Sequence, residues 1–144
     1  MDTNNTNNAN TGERELIYKD LSYTIVGAFI SAHNELGPYA REKQYGDVVA
    51  RIFKEKGAHY DREVRIGDSG NTADGIVEHK VLVEFKAKRI LTPEDYYQTQ
   101  RYLQETGLKL AILVNFRDKY IKPRRIVKNR ELEKIALVLL VSLV

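Results

Sequence analysis

Apolar residues recur with two different periods along this chain, and the switches between them predict its elements. Leu21, Ile25, Val26, Phe29 and Ile30 follow helical spacing, which predicts an amphipathic helix over Tyr18 to Glu35, stopped at Gly37-Pro38. Tyr45, Val48, Val49, Ile52 and Phe53 form a second helical stripe within Ala40 to Lys56, closed by Gly57. Ala58 to Ile66 alternates and reads as a strand, ended by the turn Gly67-Asp68-Ser69-Gly70-Asn71. Ala73 to Ala87, written ADGIVEHKVLVEFKA, reads as two short strands about a tight polar turn, Glu78-His79-Lys80. Thr92-Pro93-Glu94-Asp95 is a strong helix start, with an N-cap threonine, proline in the first turn and acids beside it; that helix runs to Thr106. Leu110 to Phe116 is a continuous apolar run of strand length, hence a buried strand, and Tyr120 to Val127 a more exposed one that Pro123 assigns to an edge. A strand–helix–strand step between buried strands requires a parallel pairing. The expected fold is therefore α/β, a mixed sheet flanked by helices.

Composition narrows the picture. The 144 residues suit one domain with a real core, and 42% hydrophobic with 30% charged residues is a soluble, globular balance. There is no cysteine, which removes disulfides, thiolate zinc sites and thiol nucleophiles. The Asn/Thr-rich segment up to Gly12 reads as a disordered tail without a signal peptide, and no run of about 18 apolar residues is present, so a cytoplasmic protein without a membrane span is expected. Residues 129–144 form an apolar extension ending IALVLLVSLV, which offers a final element, a homodimer contact or a site for a protein partner. Between Arg117 and Arg130 seven basic residues meet only Asp118. Lys122, Arg124 and Arg125 at its centre are candidate nucleic-acid contacts, with edge-strand protection as the competing reading.

The charges of the hairpin are harder to explain by solubility. With His79 at the turn centre, Asp74 falls opposite Glu84; a one-residue slip puts it opposite Phe85, still beside Glu84, and Glu84 and Lys86, two apart, share a face. Such a cluster is retained when it is paired, solvated or loaded with metal, so a surface charge ladder and a cation site both fit. Glu42, three residues before Tyr45, is either a first-turn acid favoured by the helix dipole or a group aimed at a site.

Taken together, Asp74, Glu84-Phe85-Lys86, the upstream Glu42 and Gln98-Thr99-Gln100-Arg101-Tyr102 resemble the PD-(D/E)XK nuclease superfamily, in the RecB-like and λ-exonuclease-like branch that carries QxxxY. More narrowly, His33 to Pro38 (HNELGP), Glu42 to Tyr45, VEFKA, LTP, QTQRY, TGLKLAILVNF and RRIV resemble the GxxExxY family of small bacterial proteins. Two departures stand out: Tyr39 occupies the place of the motif's glycine, and Ala73 that of the superfamily's proline.

The resemblance implies a restriction-endonuclease-like core over residues 13–128 and a metal-dependent nuclease acting on nucleic acid, DNA foremost. It implies Mg2+ or Mn2+ held by Asp74, Glu84, the Phe85 carbonyl and Glu42, directly or through water, because hard oxygen ligands select such ions. Lys86 would orient or deprotonate the attacking water, and Gln98 and Tyr102, on one helix face, would complete the catalytic set. His33 matches a family position and is a further candidate for substrate contact. The three acids are expected to converge, with Lys86 at their border. The alternative is a nuclease-fold module that binds nucleic acid or a protein partner without cutting.

Overall fold

The computed structural model describes residues 17–130; both the Asn/Thr-rich tail and the IALVLLVSLV end lie outside them. Two helices come first, α1 (Lys19–Leu36) and α2 (Glu42–Glu55). Three strands follow, β1 (Tyr60–Ile66), β2 (Asn71–Val77) and β3 (Val81–Lys86), then α3 (Pro93–Thr106), β4 (Leu110–Asn115) and β5 (Arg124–Val127). The five strands lie in sequence order across one sheet. It is mixed as expected: β3 and β4 are parallel through the α3 crossover, and the other pairs are antiparallel. Among the described residues no helix is long and apolar enough to cross a membrane.

The two helical stripes and the apolar strands account for the layers. Ile25 and Phe29 of α1 and Tyr45, Val49 and Phe53 of α2 bury against Val81, Val83, Phe85, Ile112 and Val114 on one sheet face. Leu82, Ala111 and Leu113 point to the opposite face, where Tyr102 and Leu103 of α3 cover them. Strands β3 and β4 are thus buried on both sides, which is why their sequences read as continuous apolar runs. The last strand is shorter than its pattern suggests. Only Arg124–Val127 pairs with β4, because Pro123 has no N–H to give a ladder and Tyr120 turns into solvent, 73% exposed.

The hairpin has the register read from sequence, with Val77 opposite Val81, Ile76 opposite Leu82 and Gly75 opposite Val83. Its turn is made by Glu78 and His79 at φ 53 and 56, the positive pair that two-residue hairpin turns use, and the Lys80 N–H donates to the Val77 carbonyl at 3.0 Å. At the other end the regular pairing lapses. Between β1 and β2, Arg62–Gly75 and Val64–Ala73 flank an unpaired step at Glu63, itself at φ 52, facing Asp74. Between β2 and β3 pairing stops at Gly75–Val83. Asp74 therefore stands where both ladders of its strand are interrupted.

Candidate active site

Side chains take over where the ladders stop. The Asp74 N–H donates to Glu84 Oε1 at 2.9 Å, and the Phe85 N–H donates to Asp74 Oδ2 at 2.6 Å. Each carboxylate is thus fixed by a backbone amide of the opposing strand, and the two acids are locked side by side at the open end of the hairpin. The Tyr60 hydroxyl closes this corner by donating to the Asp74 carbonyl at 3.2 Å. Its ring can lie this close only because residue 75 is glycine, where an added Cβ would come within 2.1 Å of the ring.

Burial sets the electrostatics. Glu84 is 3% exposed, and burial first, then the charge of Asp74, pushes its carboxyl up to about 8. Burial likewise raises Asp74 to about 6, against the opposing Phe85 hydrogen bond and with the charge of Glu42 adding to the rise. Lys86 pulls both downward. Yet none of the ion pairs among the described residues includes Glu42, Asp74 or Glu84.

Glu42 reaches this corner from the first turn of α2, its Oε1 accepting the Ala87 N–H at 3.2 Å across 45 positions of sequence. Helix dipole and site are therefore not competing explanations for it. The three acids do not close as a set to within 4.8 Å of one another; Glu42, the exposed member, is tied to the end of β3. A pocket of about 210 Å³ opens between Glu42 and Asp74, lined also by Lys43, Gly46, Arg62, Glu63 and Phe85, while Glu84 lies outside its lining. Lys86 Nζ donates to Gln98 Oε1 at 3.2 Å and lies 4.0 Å from Asp95 Oδ1. Tyr102, one turn after Gln98, is buried, and its hydroxyl is raised by burial and then by the charge of Glu84. Gln98 and Tyr102 thus approach the acids from α3, the first through Lys86.

Sequence reasoning missed two participants. Glu63 adds a fourth acidic charge to the Asp74 environment. Its place was hidden because the alternating pattern of β1 gives no sign of the left-handed residue at that step. The sequence marks Asp95 only as a first-turn acid. It is 6% exposed, accepts the Thr92 N–H at 2.7 Å and pairs with Lys88 Nζ at 2.8 Å. Burial alone would raise Asp95, but the Lys88 hydrogen bond and the Thr92 amide hold it below the ordinary range. The signal available was the Thr-x-x-Asp spacing, which ties an N3 acid back to the cap.

A family model of the PD-(D/E)XK nuclease superfamily matches residues 19–128, the whole span from α1 to β5. The chain belongs to that superfamily. Its mixed five-stranded sheet with flanking helices is the superfamily's restriction-endonuclease-like core. Among solved structures it is similar to an alkaline exonuclease (LHK-Exo) from Laribacter hongkongensis, at 22% identity and a TM-score of 0.46, over 70% of this chain and 59% of that one. The complex of LHK-Exo with dAMP is similar at 24% identity and TM-score 0.46, over 70% and 58% of the two chains. The chain thus spans somewhat under two thirds of the length of these structures. No curated protein sequence matches it.

Within this nuclease-superfamily core, the remaining candidates lie apart from the acids. His33 is buried, and its Nε2 meets the Asp118 carbonyl at 2.8 Å, joining α1 to the loop after β4. Tyr39 is exposed and carries the Arg117 guanidinium 5.5 Å from its ring centre. Lys122 and Arg124 are exposed near the β5 edge. Arg124 and Arg125 pair with Leu113 and Ile112 in the ladder, and as consecutive strand residues they project to opposite faces. The Arg125 guanidinium also donates to the Ile17 carbonyl. The basic segment is therefore divided by the sheet.

Proposed function

We propose that this chain is a divalent-metal-dependent nuclease that hydrolyses phosphodiester bonds of nucleic acid, DNA foremost, and that it sits in the GxxExxY group of the QxxxY-bearing branch. The observation that carries the reading is the pair of half-buried Asp74 and buried Glu84, each raised well above an ordinary carboxyl and in no ion pair among the described residues. Superfamily members generally use divalent ions, and this donor set fits one: clustered hard oxygens whose repulsion a cation relieves. Asp74 and Glu84 would hold Mg2+ or Mn2+ with the Phe85 carbonyl, and Glu42 would complete the set through water. Such an ion, when bound, supplies positive charge to the phosphoryl oxygens and acidifies water.

The rest falls to this chain's own side chains. Lys86 Nζ, steadied by Gln98 Oε1 at 3.2 Å, places a proton donor and a positive charge beside the acids. From there it orients the attacking water and balances the charge that grows on the phosphate. Tyr102, buried on α3 and near enough to feel the charge of Glu84, would wall the site on that side against bulk water. The test is incubation of the full chain with circular and linear, single- and double-stranded DNA and RNA, with Mg2+, Mn2+ or EDTA. Cleavage that needs the ion and is abolished by EDTA is expected. Binding without cleavage across the panel would replace the reading with that of a non-cutting nuclease-fold module.

A further inference from the structure

The opposite end of the same hairpin carries a second constellation of ligand-type side chains. His59, just before β1, Asp61 within it, and His79 in the β2–β3 turn present ligand atoms that all lie within 4.8 Å of one another. His59 Nε2 is 3.1 Å from Asp61 Oδ2, and His79 Nδ1 is 3.8 Å from the same oxygen. Ligands about 2.0–2.1 Å from a tetrahedral ion stand roughly 3.4 Å apart, so two of the three separations are already of that size. The imidazoles are stacked at 4.3 Å, and all three side chains are exposed and can turn toward a common centre.

The backbone holds these groups together independently of any ion. The Glu78 N–H donates to the His59 carbonyl at 2.8 Å, and the His59 N–H donates to Glu78 Oε1 at 2.7 Å, a two-way lock between the turn and the start of β1. The turn also keeps His79 at φ 56, where asparagine or glycine would sit with less strain. Composition concentrates the chemistry further. The chain has three histidines and no cysteine, and His33 is buried on the Asp118 carbonyl, so the imidazoles open to solvent are the two in this cluster.

We propose that His59, Asp61 and His79 form a second cation site, for Zn2+ or a similar borderline transition ion, that staples the hairpin turn to β1. Two nitrogens and one carboxylate oxygen are the donor set such ions prefer, whereas the oxygen-rich corner at Asp74 and Glu84 suits harder ions. The fourth position faces solvent and is filled by water. The role is structural: the ion fixes one end of the hairpin whose other end carries Asp74 and Glu84.

The test is calorimetric titration of the full, untagged chain with Zn2+, together with thermal melts. It uses wild type, His59→Gln, His79→Asn, and the double variant Asp74→Asn/Glu84→Gln. Asparagine suits the left-handed turn, so His79→Asn removes the ligand without unfolding the hairpin. One equivalent of Zn2+ that persists in the Asp74/Glu84 variant and raises its melting temperature is expected. Each histidine variant should weaken binding by about a hundredfold or more, since even an outer partner of a metal ligand contributes about ten- to a hundredfold. Histidine variants that bind like wild type, or Zn2+ binding lost with Asp74 and Glu84 alone, would overturn the proposal. Because the readout is binding and stability, failure here leaves the nuclease reading standing.

Discussion

Glu84 is the residue on which the electrostatics turns. Its carboxyl stands at about 8 and that of Asp74 at about 6, against ordinary values of 4.5 and 3.8. A carboxyl raised in the folded state binds its proton more tightly there than in the unfolded chain. The stability it contributes is full below about pH 4 and is lost as pH rises through about 8. Metal-free protein is therefore expected to lose denaturant resistance between about pH 5 and 9, and Glu84→Gln, which cannot ionise, to flatten that decline. Urea midpoints across this range check it; a decline of equal steepness in the variant would contradict the assignment. The nearness of Asp74 to Glu84 was legible in the sequence, because either hairpin register open to the turn leaves the two acids beside each other. The burial of Glu84 was not, since it depends on α3 closing over the second sheet face.

Among the elements, the hairpin owes its shape to a close approach at Gly75. The Tyr60 ring occupies the space of a side chain there, so Gly75→Ala must push the ring aside and with it the hydroxyl on the Asp74 carbonyl. Overpacking of this kind costs about 1–3 kcal/mol, and a matching drop in unfolding free energy is expected; a neutral variant would show that the ring moves freely. Helices α1, α2 and α3 and the central strands were legible from pattern and punctuation to within a residue or two, because each helix buries one regular face and β3 and β4, buried on both, read as continuous apolar runs. The segment after β4 was not. Its course is fixed by distant partners, with Asn115 Nδ2 on the Lys88 carbonyl at 2.7 Å and His33 on Asp118, and local pattern carries no trace of these.

At the scale of the whole molecule, the sheet separates charges that the sequence places side by side. If the β5 edge follows a phosphate backbone, the logarithm of affinity falls with that of salt by about 0.9 per phosphate neutralised on duplex DNA. Arg124→Ala is then expected to flatten that slope by about one. Arg125→Ala should leave it nearly unchanged and instead lower stability by about 1–3 kcal/mol, because its guanidinium holds the Ile17 carbonyl. Salt-dependent binding of duplex DNA, followed by anisotropy, separates the two; equal flattening by both would restore a single patch. The central claim is that a cation site at Asp74 and Glu84 works with Lys86 to cut phosphodiesters, and it divides binding from chemistry. The direct measurement is Mn2+ affinity and cleavage rate, side by side, for wild type, Glu84→Gln and Lys86→Ala, with the fold checked by circular dichroism. Lys86→Ala is expected to keep Mn2+ binding while losing about a hundredfold or more of its rate, and Glu84→Gln to lose both. Wild-type cleavage by either variant would contradict it.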